Sequence, residues 1–128
     1  MKSIHPTIKA ISALEWSGEP LVSDAPVRFD CHLEIGEAGE RGADYFNVAV
    51  VNRAWAQSNL DAVPDTAPAW LPPRAILLLD TPSFEALTGC IAGEIAAISP
   101  CPSWPDFAQR LWPYLRWDLE GVLYPPFR

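Results

Sequence analysis

Between Val27 and Ile35 the chain alternates strictly. Val27, Phe29, Cys31, Leu33 and Ile35 are apolar, and Arg28, Asp30, His32 and Glu34 stand between them. Side chains of a strand point to opposite faces in turn, so this pattern predicts a strand with one buried and one solvated face. A strand covered on one side suits an antiparallel sheet. The stretch from Gly36 to Asp44 carries Gly36, Gly39 and Gly42 among charged residues, which predicts a connecting loop. Tyr45 to Val51 then reads as the hairpin partner of the first strand. Thr7 to Ser12 alternates less regularly and predicts an opening strand. Ala75 to Asp80 is apolar on both faces and predicts a central strand. Leu115, Trp117 and Leu119 alternate with Arg116, Asp118 and Glu120, which returns the chain to a strand near its end.

The period changes after Pro82. Phe84, Leu87, Ile91, Ile95 and Ile98 recur three or four apart and form one apolar stripe of a helix that starts at Thr81-Pro82-Ser83. Ser99-Pro100-Cys101-Pro102 ends it. Ser103 with Asp106 three residues on predicts a capped second helix, with Trp104, Phe107 and Leu111 inward and Pro113 stopping it near Trp112. Asn52 is a cap for a short helix through about Ser58, with Trp55 turned inward. Leu60 to Arg74 holds Pro64, Pro68, Pro72 and Pro73. Proline lacks the ladder donor and restrains its predecessor, so a long surface loop is expected there, and its role is open. The tail from Tyr124 is expected to be loose. Together the elements predict an α+β fold: an antiparallel sheet of about five strands with two main helices packed on one face, in one domain over residues 1–128.

Charge narrows the possible partners. The net charge is −7. Nucleic acid and anionic membrane surfaces draw on basic patches, so neither is an expected partner. An acidic protein is steered toward basic partners, although acidity also serves solubility. No segment approaches the ~20 apolar residues of a membrane span, and the N-terminus lacks the apolar run of a signal peptide. The expected compartment is the cytoplasm. Cys31, Cys90 and Cys101 are an odd number at irregular spacing, which fits small buried thiols in a reducing compartment better than disulfides.

Catalytic patterns are missing. There is no G-x-S-x-G elbow, and Cys31 and His32 are strand neighbours that point to opposite faces. His5 and His32 do not complete a zinc pattern, so no metal site is expected. Asp30 and Glu34 share one strand face, as Asp118 and Glu120 do another, and the simplest reading is a solvated acidic sheet face. The glycine stretch lacks a Lys-Ser/Thr ending and carries Glu37 and Glu40, where a phosphate would be repelled. No cofactor is expected. Of the six tryptophans, Trp55, Trp104, Trp112 and Trp117 lie near apolar stripes and read as core. Trp16 and Trp70 lie in turn or loop contexts, where tryptophan either covers core or serves as a binding hot spot.

The stretch from Ile35 to Val48, Ile-Gly-Glu-Ala-Gly-Glu-Arg-Gly-Ala-Asp-Tyr-Phe-Asn-Val, resembles a signature of the immunity protein 8 family. There a strand ends in Ile-Gly, a Gly-Glu-rich turn follows, and the next strand opens on an aromatic. Asn52 to Trp55 sits where members have a short Trp-containing segment. Ser103-Trp104-Pro105-Asp106-Phe107, running on to Tyr114-Leu115-Arg116-Trp117-Asp118-Leu119-Glu120, is similar to the family's C-terminal pattern, and Ile8 to Ser12 to its opening strand. Pro113 and the length of Leu60 to Pro73 depart from that pattern. The resemblance implies a non-enzymatic bacterial antitoxin of polymorphic or contact-dependent toxin systems. It would bind the C-terminal toxin domain encoded beside it, and the acidic balance suits a basic toxin such as a nuclease. Charge, loop position and hot-spot preference then make Glu37, Glu40, Asp44 and Trp70 the candidate partner contacts. A small acidic hydrolase using Asp30 or Glu34, and a subunit of a larger assembly, are the alternatives. Neither the toxin nor the oligomeric state is legible.

Overall fold

The computed structural model describes residues 3–119. Six strands and three helices follow in the order β1 (Pro6–Ala13), β2 (Arg28–Glu37), β3 (Asp44–Val51), α1 (Arg53–Asn59), β4 (Ala69–Leu71), β5 (Ile76–Leu78), α2 (Phe84–Ile98), α3 (Trp104–Arg110) and β6 (Arg116–Trp117). The fold is α+β, as the periodicities predict. The sheet runs β1-β2-β3-β5-β4, and β6 also pairs with β3.

The alternation in β2 sets the whole arrangement. Cys31, Leu33 and Ile35 are fully buried, while Asp30, His32 and Glu34 are exposed. Register carries the two faces outward: Leu33 sits opposite Ile11 of β1 and Phe46 of β3, and His32 opposite Ser12 and Asn47. The apolar face meets the buried stripe of α2 (Leu87, Ile91, Ile95) and the inward side of α3 (Phe107, Ala108). Both helices start on serine. Ser83 Oγ accepts from the Ala86 amide and Ser103 Oγ from the Asp106 amide, which satisfies one free donor of each first turn. Pro82 lies before the Ser83 cap, outside the first turn where the sequence suggests it.

Three features depart from the sequence reading. First, β4 lies inside the proline-rich stretch. Ala69-Trp70-Leu71 is flanked by Pro68 and Pro72, and it survives because an edge strand needs ladder donors on only one side. The sheet therefore has six strands, β4 adding one to those the periodicities outline. Second, β5 joins β3 in parallel, with Ala49 to Val51 opposite Ile76 to Leu78. The long connection through α1 and β4 carries the chain back far enough to start a parallel strand, whereas a tight hairpin would have forced an antiparallel one. Third, a smaller apolar cluster sits on the other side of the sheet. Ala49, Val51, Ile76 and Leu78 point there and pack with Ala56 of α1, Leu71, and half-buried Trp55 and Leu60. The sheet is thus covered by α2 and α3 on one face and only partly, by α1 and its flanking chain, on the other.

Asn52 joins these parts. It is buried, its Oδ1 accepts from the amides of Val27 and Trp55 at 3.0 Å each, and its Nδ2 donates to the carbonyls of Ser23 and Ala25. The predicted cap is therefore also a clamp on the segment entering β2. The last strand is shorter than its alternation suggests: Leu115 and Trp117 are buried, but Leu119 is already exposed in a turn. Glu120 and the tail from Tyr124 lie outside the described residues.

Candidate functional site

The β2–β3 connection is held on every side. Gly36 is packed so closely that a Cβ there would come within 2.4 Å of the Gly42 carbonyl oxygen. Gly42 itself adopts φ +86°, a conformation that other residues avoid. A register shift between Ile8 and Ala10 leaves Lys9 as an extra residue of β1. Its Nζ donates to the carbonyl of Glu40 and, at 3.0 Å, to that of Gly42. The Ala38 amide donates to the His5 carbonyl at 2.8 Å. The tip of the hairpin is consequently braced and presents its side chains from a fixed backbone.

The acidic residues at this tip differ in what they are free to do. Glu40 is exposed and its carboxylate has no hydrogen bond or ion pair among the described residues. Glu37 is half-buried and accepts the His5 amide through Oε1 at 2.8 Å. Asp44 is half-buried beneath two indoles: Trp104 Nε1 and Trp117 Nε1 both donate to its Oδ2, the latter at 3.1 Å. That carboxylate ties α3 and β6 to the start of β3. Glu37 and Asp44, with Arg41 and Trp104, line a shallow cavity of about 290 Å³.

Trp70 is not brought to this place. It sits opposite Leu77 in β4, on the helix-covered face, with its ring 5.0 Å from that of Tyr114. It lines a different groove, with Leu79, Cys90 and Gly93. Trp16 also covers core, stacked 4.4 Å from Phe29 and edge-on to Phe84.

On the opposite side of the sheet, β1, β2, β3 and β6 expose a continuous polar surface. Ser12, Asp30, His32, Glu34, Tyr45, Arg116 and Asp118 are all exposed there. Two of these residues are linked through Asn47. His32 Nδ1 hydrogen-bonds Asn47 Oδ1, and Asn47 Nδ2 donates to Asp118 Oδ1 at 2.8 Å. The chain locks three strands into one lattice of polar groups.

The model of the immunity protein 8 family matches residues 7–122 of the chain. The chain belongs to that family. Comparison with curated proteins and with solved structures finds no match to either. Membership points to an immunity protein of toxin systems. A surface already held in place loses less freedom when a partner binds it.

The three thiols are held in their protonated form. Burial, with Asp30 adding to it, pushes the Cys31 thiol up to about 12. Cys90 and Cys101 are raised as well, chiefly by burial. A nucleophilic cysteine needs the opposite shift. His32 lies across the sheet from Cys31, as strand alternation requires. No group of three or more His, Cys, Asp or Glu able to hold a metal occurs among the described residues, and no described helix is long and apolar enough to cross a membrane. The sequence reading missed Lys9, Trp104 and Trp117 as the frame of the acidic tip. The signal for Lys9 was the broken alternation of β1. The two indole contacts to Asp44 span 60 and 73 residues of chain, and nothing local announces them.

Proposed function

We propose that this chain binds the toxin domain encoded beside it and neutralises that toxin by occlusion, without catalysing a reaction. The observation that carries this reading is the match to the immunity protein 8 family over residues 7–122, joined to a preformed acidic hairpin tip on a protein of net charge −7. Glu40 and Glu37 meet the toxin directly. Asp44 contributes at the base of the same cavity while it holds the frame. Trp70 lies on the helix-covered face, so it joins the interface only where the toxin reaches round the β4 edge. A basic toxin, a nuclease among the candidates, complements such a surface by charge. The cytoplasm, where such a toxin would act, is the compartment this reading assigns.

The test is a pull-down with the chain as bait and the C-terminal domain of the adjacent gene product as prey, coupled to a growth assay. A one-to-one complex that abolishes toxicity supports the reading. Failure to bind, with toxicity unrelieved, overturns it. Within a complex, Glu37→Lys with Glu40→Lys should slow association by roughly tenfold or more at low salt. An unchanged on-rate would remove the tip from the encounter surface.

A further inference from the structure

The outer edge of β3 is shared by two strands that never meet. Phe46 and Asn47 pair with Trp117 and Arg116 of β6, running antiparallel, while Ala49 to Val51 pair with β5, running parallel. Between them, at Val48, the sheet is open, and a cavity of about 260 Å³ lies in the gap. Arg28, Arg74 and Arg116 line it, with Asp30 the one acidic residue among its walls. In a chain of net charge −7 this concentration of guanidinium groups runs against the general balance. In each of the three other cavities described, Asp and Glu outnumber Lys and Arg in the lining. Like charges gathered around one space repel one another, so the arrangement is suited to an anion that comes from outside.

The arginines have different tasks. Arg74 is buried, donates to the carbonyls of Trp112 and Leu115, and lies 4.3 Å from the Trp112 ring, so it builds the floor. Arg28 is set in place by the Trp55 ring at 5.6 Å and by Asp30 at 3.4 Å, yet its side chain is 42% exposed. Arg116 is exposed, and its guanidinium makes no hydrogen bond or ion pair among the described residues. Ala75, on the rim, holds φ 55°, a left-handed conformation costly for alanine, and its amide and carbonyl are both bonded, to Pro113 and Ala49. Strain of this kind persists only where surrounding structure enforces it.

We infer that the gap between β5 and β6 is a socket for one acidic side chain of the toxin, whose carboxylate enters between the guanidinium groups of Arg28 and Arg116. The volume suits a single side chain better than a free ligand, whose pockets usually run to roughly 300–1,000 Å³. Arginine presents a planar fork that matches a carboxylate, and two forks on a rigid sheet fix its position with little loss of freedom. The socket lies on the open sheet face, and the acidic tip closes the far end of the same β2–β3 hairpin. A basic toxin steered by the tip would thus be set in register by one acid of its own. This inference rests on the reading of the chain as a toxin-binding protein.

The test measures association and dissociation of the adjacent gene product's C-terminal domain with the chain and with Arg28→Glu, Arg116→Glu, Arg116→Gln and Arg116→Lys. Melting temperatures are taken alongside, and Arg116→Gln serves where the charge reversal perturbs folding. Truncating one partner of a desolvated charge pair acts on dissociation, so reversal at either position should raise the off-rate roughly 30-fold or more, with Arg116→Lys between reversal and the native chain. Replacing the toxin's Asp and Glu residues one at a time by Arg should then find a single position that restores binding to Arg116→Glu. Folded variants with unchanged off-rates, or with only the on-rate altered, would overturn the socket and leave the immunity reading standing. No complex with the native chain would overturn both.

Discussion

The two faces of the sheet are built from the same strands and have opposite constraints. On one, Leu33, Ile35, Phe46 and Val48 meet α2 and α3, and almost every atom is fixed by packing. On the other, the alternate residues His32, Glu34, Tyr45 and Asn47 carry no layer over them from any described element, apart from the corner beneath α1. A half-covered sheet has to spend one face on the core, and the other is then open to be shaped for a partner. The contrast also separates kinds of charge. Among the described residues the covered face is almost wholly apolar, with the Asp44 carboxylate held at its margin by Trp104 and Trp117, whereas the open face holds arginine, histidine and carboxylates.

The largest effect that would sharpen this contrast is a core truncation. Leu33→Ala should cost about 2–5 kcal/mol in urea unfolding, through lost burial and the cavity left behind. Glu34→Ala, one residue on and facing out, should stay within about 0.5 kcal/mol. Equal losses at the two positions would break the distinction between the faces. Next comes Asp44→Ala, which removes the carboxylate that accepts from the indole N–H groups of Trp104 and Trp117. It should cost about 1–3 kcal/mol and alter tryptophan fluorescence, and Asp44→Asn, which keeps an acceptor oxygen, should cost less. Smaller still is a pair of glycine changes with opposite signs. Gly36→Ala meets the Gly42 carbonyl and should destabilise the tip, whereas at Gly89, in α2, a methyl meets open space and alanine should stabilise by about 0.4–1 kcal/mol.

The smallest effect concerns the thiols. Native protein should react with a thiol reagent first at half-buried Cys90, with buried Cys31 and Cys101 following only on unfolding. Because the folded pKa of Cys31 is raised from 9.0 to about 12, the folded state holds a proton that the unfolded state releases. The stability from this group is complete below about 9 and declines as the pH climbs toward 12, and alkaline denaturation should be delayed in Cys31→Ala relative to its own neutral stability.

Much of the fold was legible because its signals are local. Strict alternation in β2, the stripe of α2, and the caps Asn52, Ser83 and Ser103 each occupy a few consecutive residues and act where they stand. β4 was hidden because three residues between prolines carry no period, and their pairing with β5 joins segments that the prolines separate. The parallel join of β3 and β5 follows from a long crossover, whose course is set by packing on the second cluster. At the candidate site, Glu37, Glu40 and Asp44 could be placed together because one loop contains them. Trp70 could not be placed, since whether a loop tryptophan faces core or solvent is decided by Leu77 and Tyr114, distant in sequence. The arginine-lined gap was equally invisible: Arg28 and Arg116 come together only because β2 and β6 both pair with β3.

Side-chain oxidative footprinting of the chain, free and saturated with the adjacent toxin domain, tests the central claim most directly. Tyr45, 56% exposed, and His32 report on the open face, and Cys90 reports on the helix-covered side. Occlusion from the open face predicts that Tyr45 and His32 become protected while Cys90 reacts as before. Protection of Cys90 with Tyr45 and His32 unchanged would place the toxin on the helices and contradict the account.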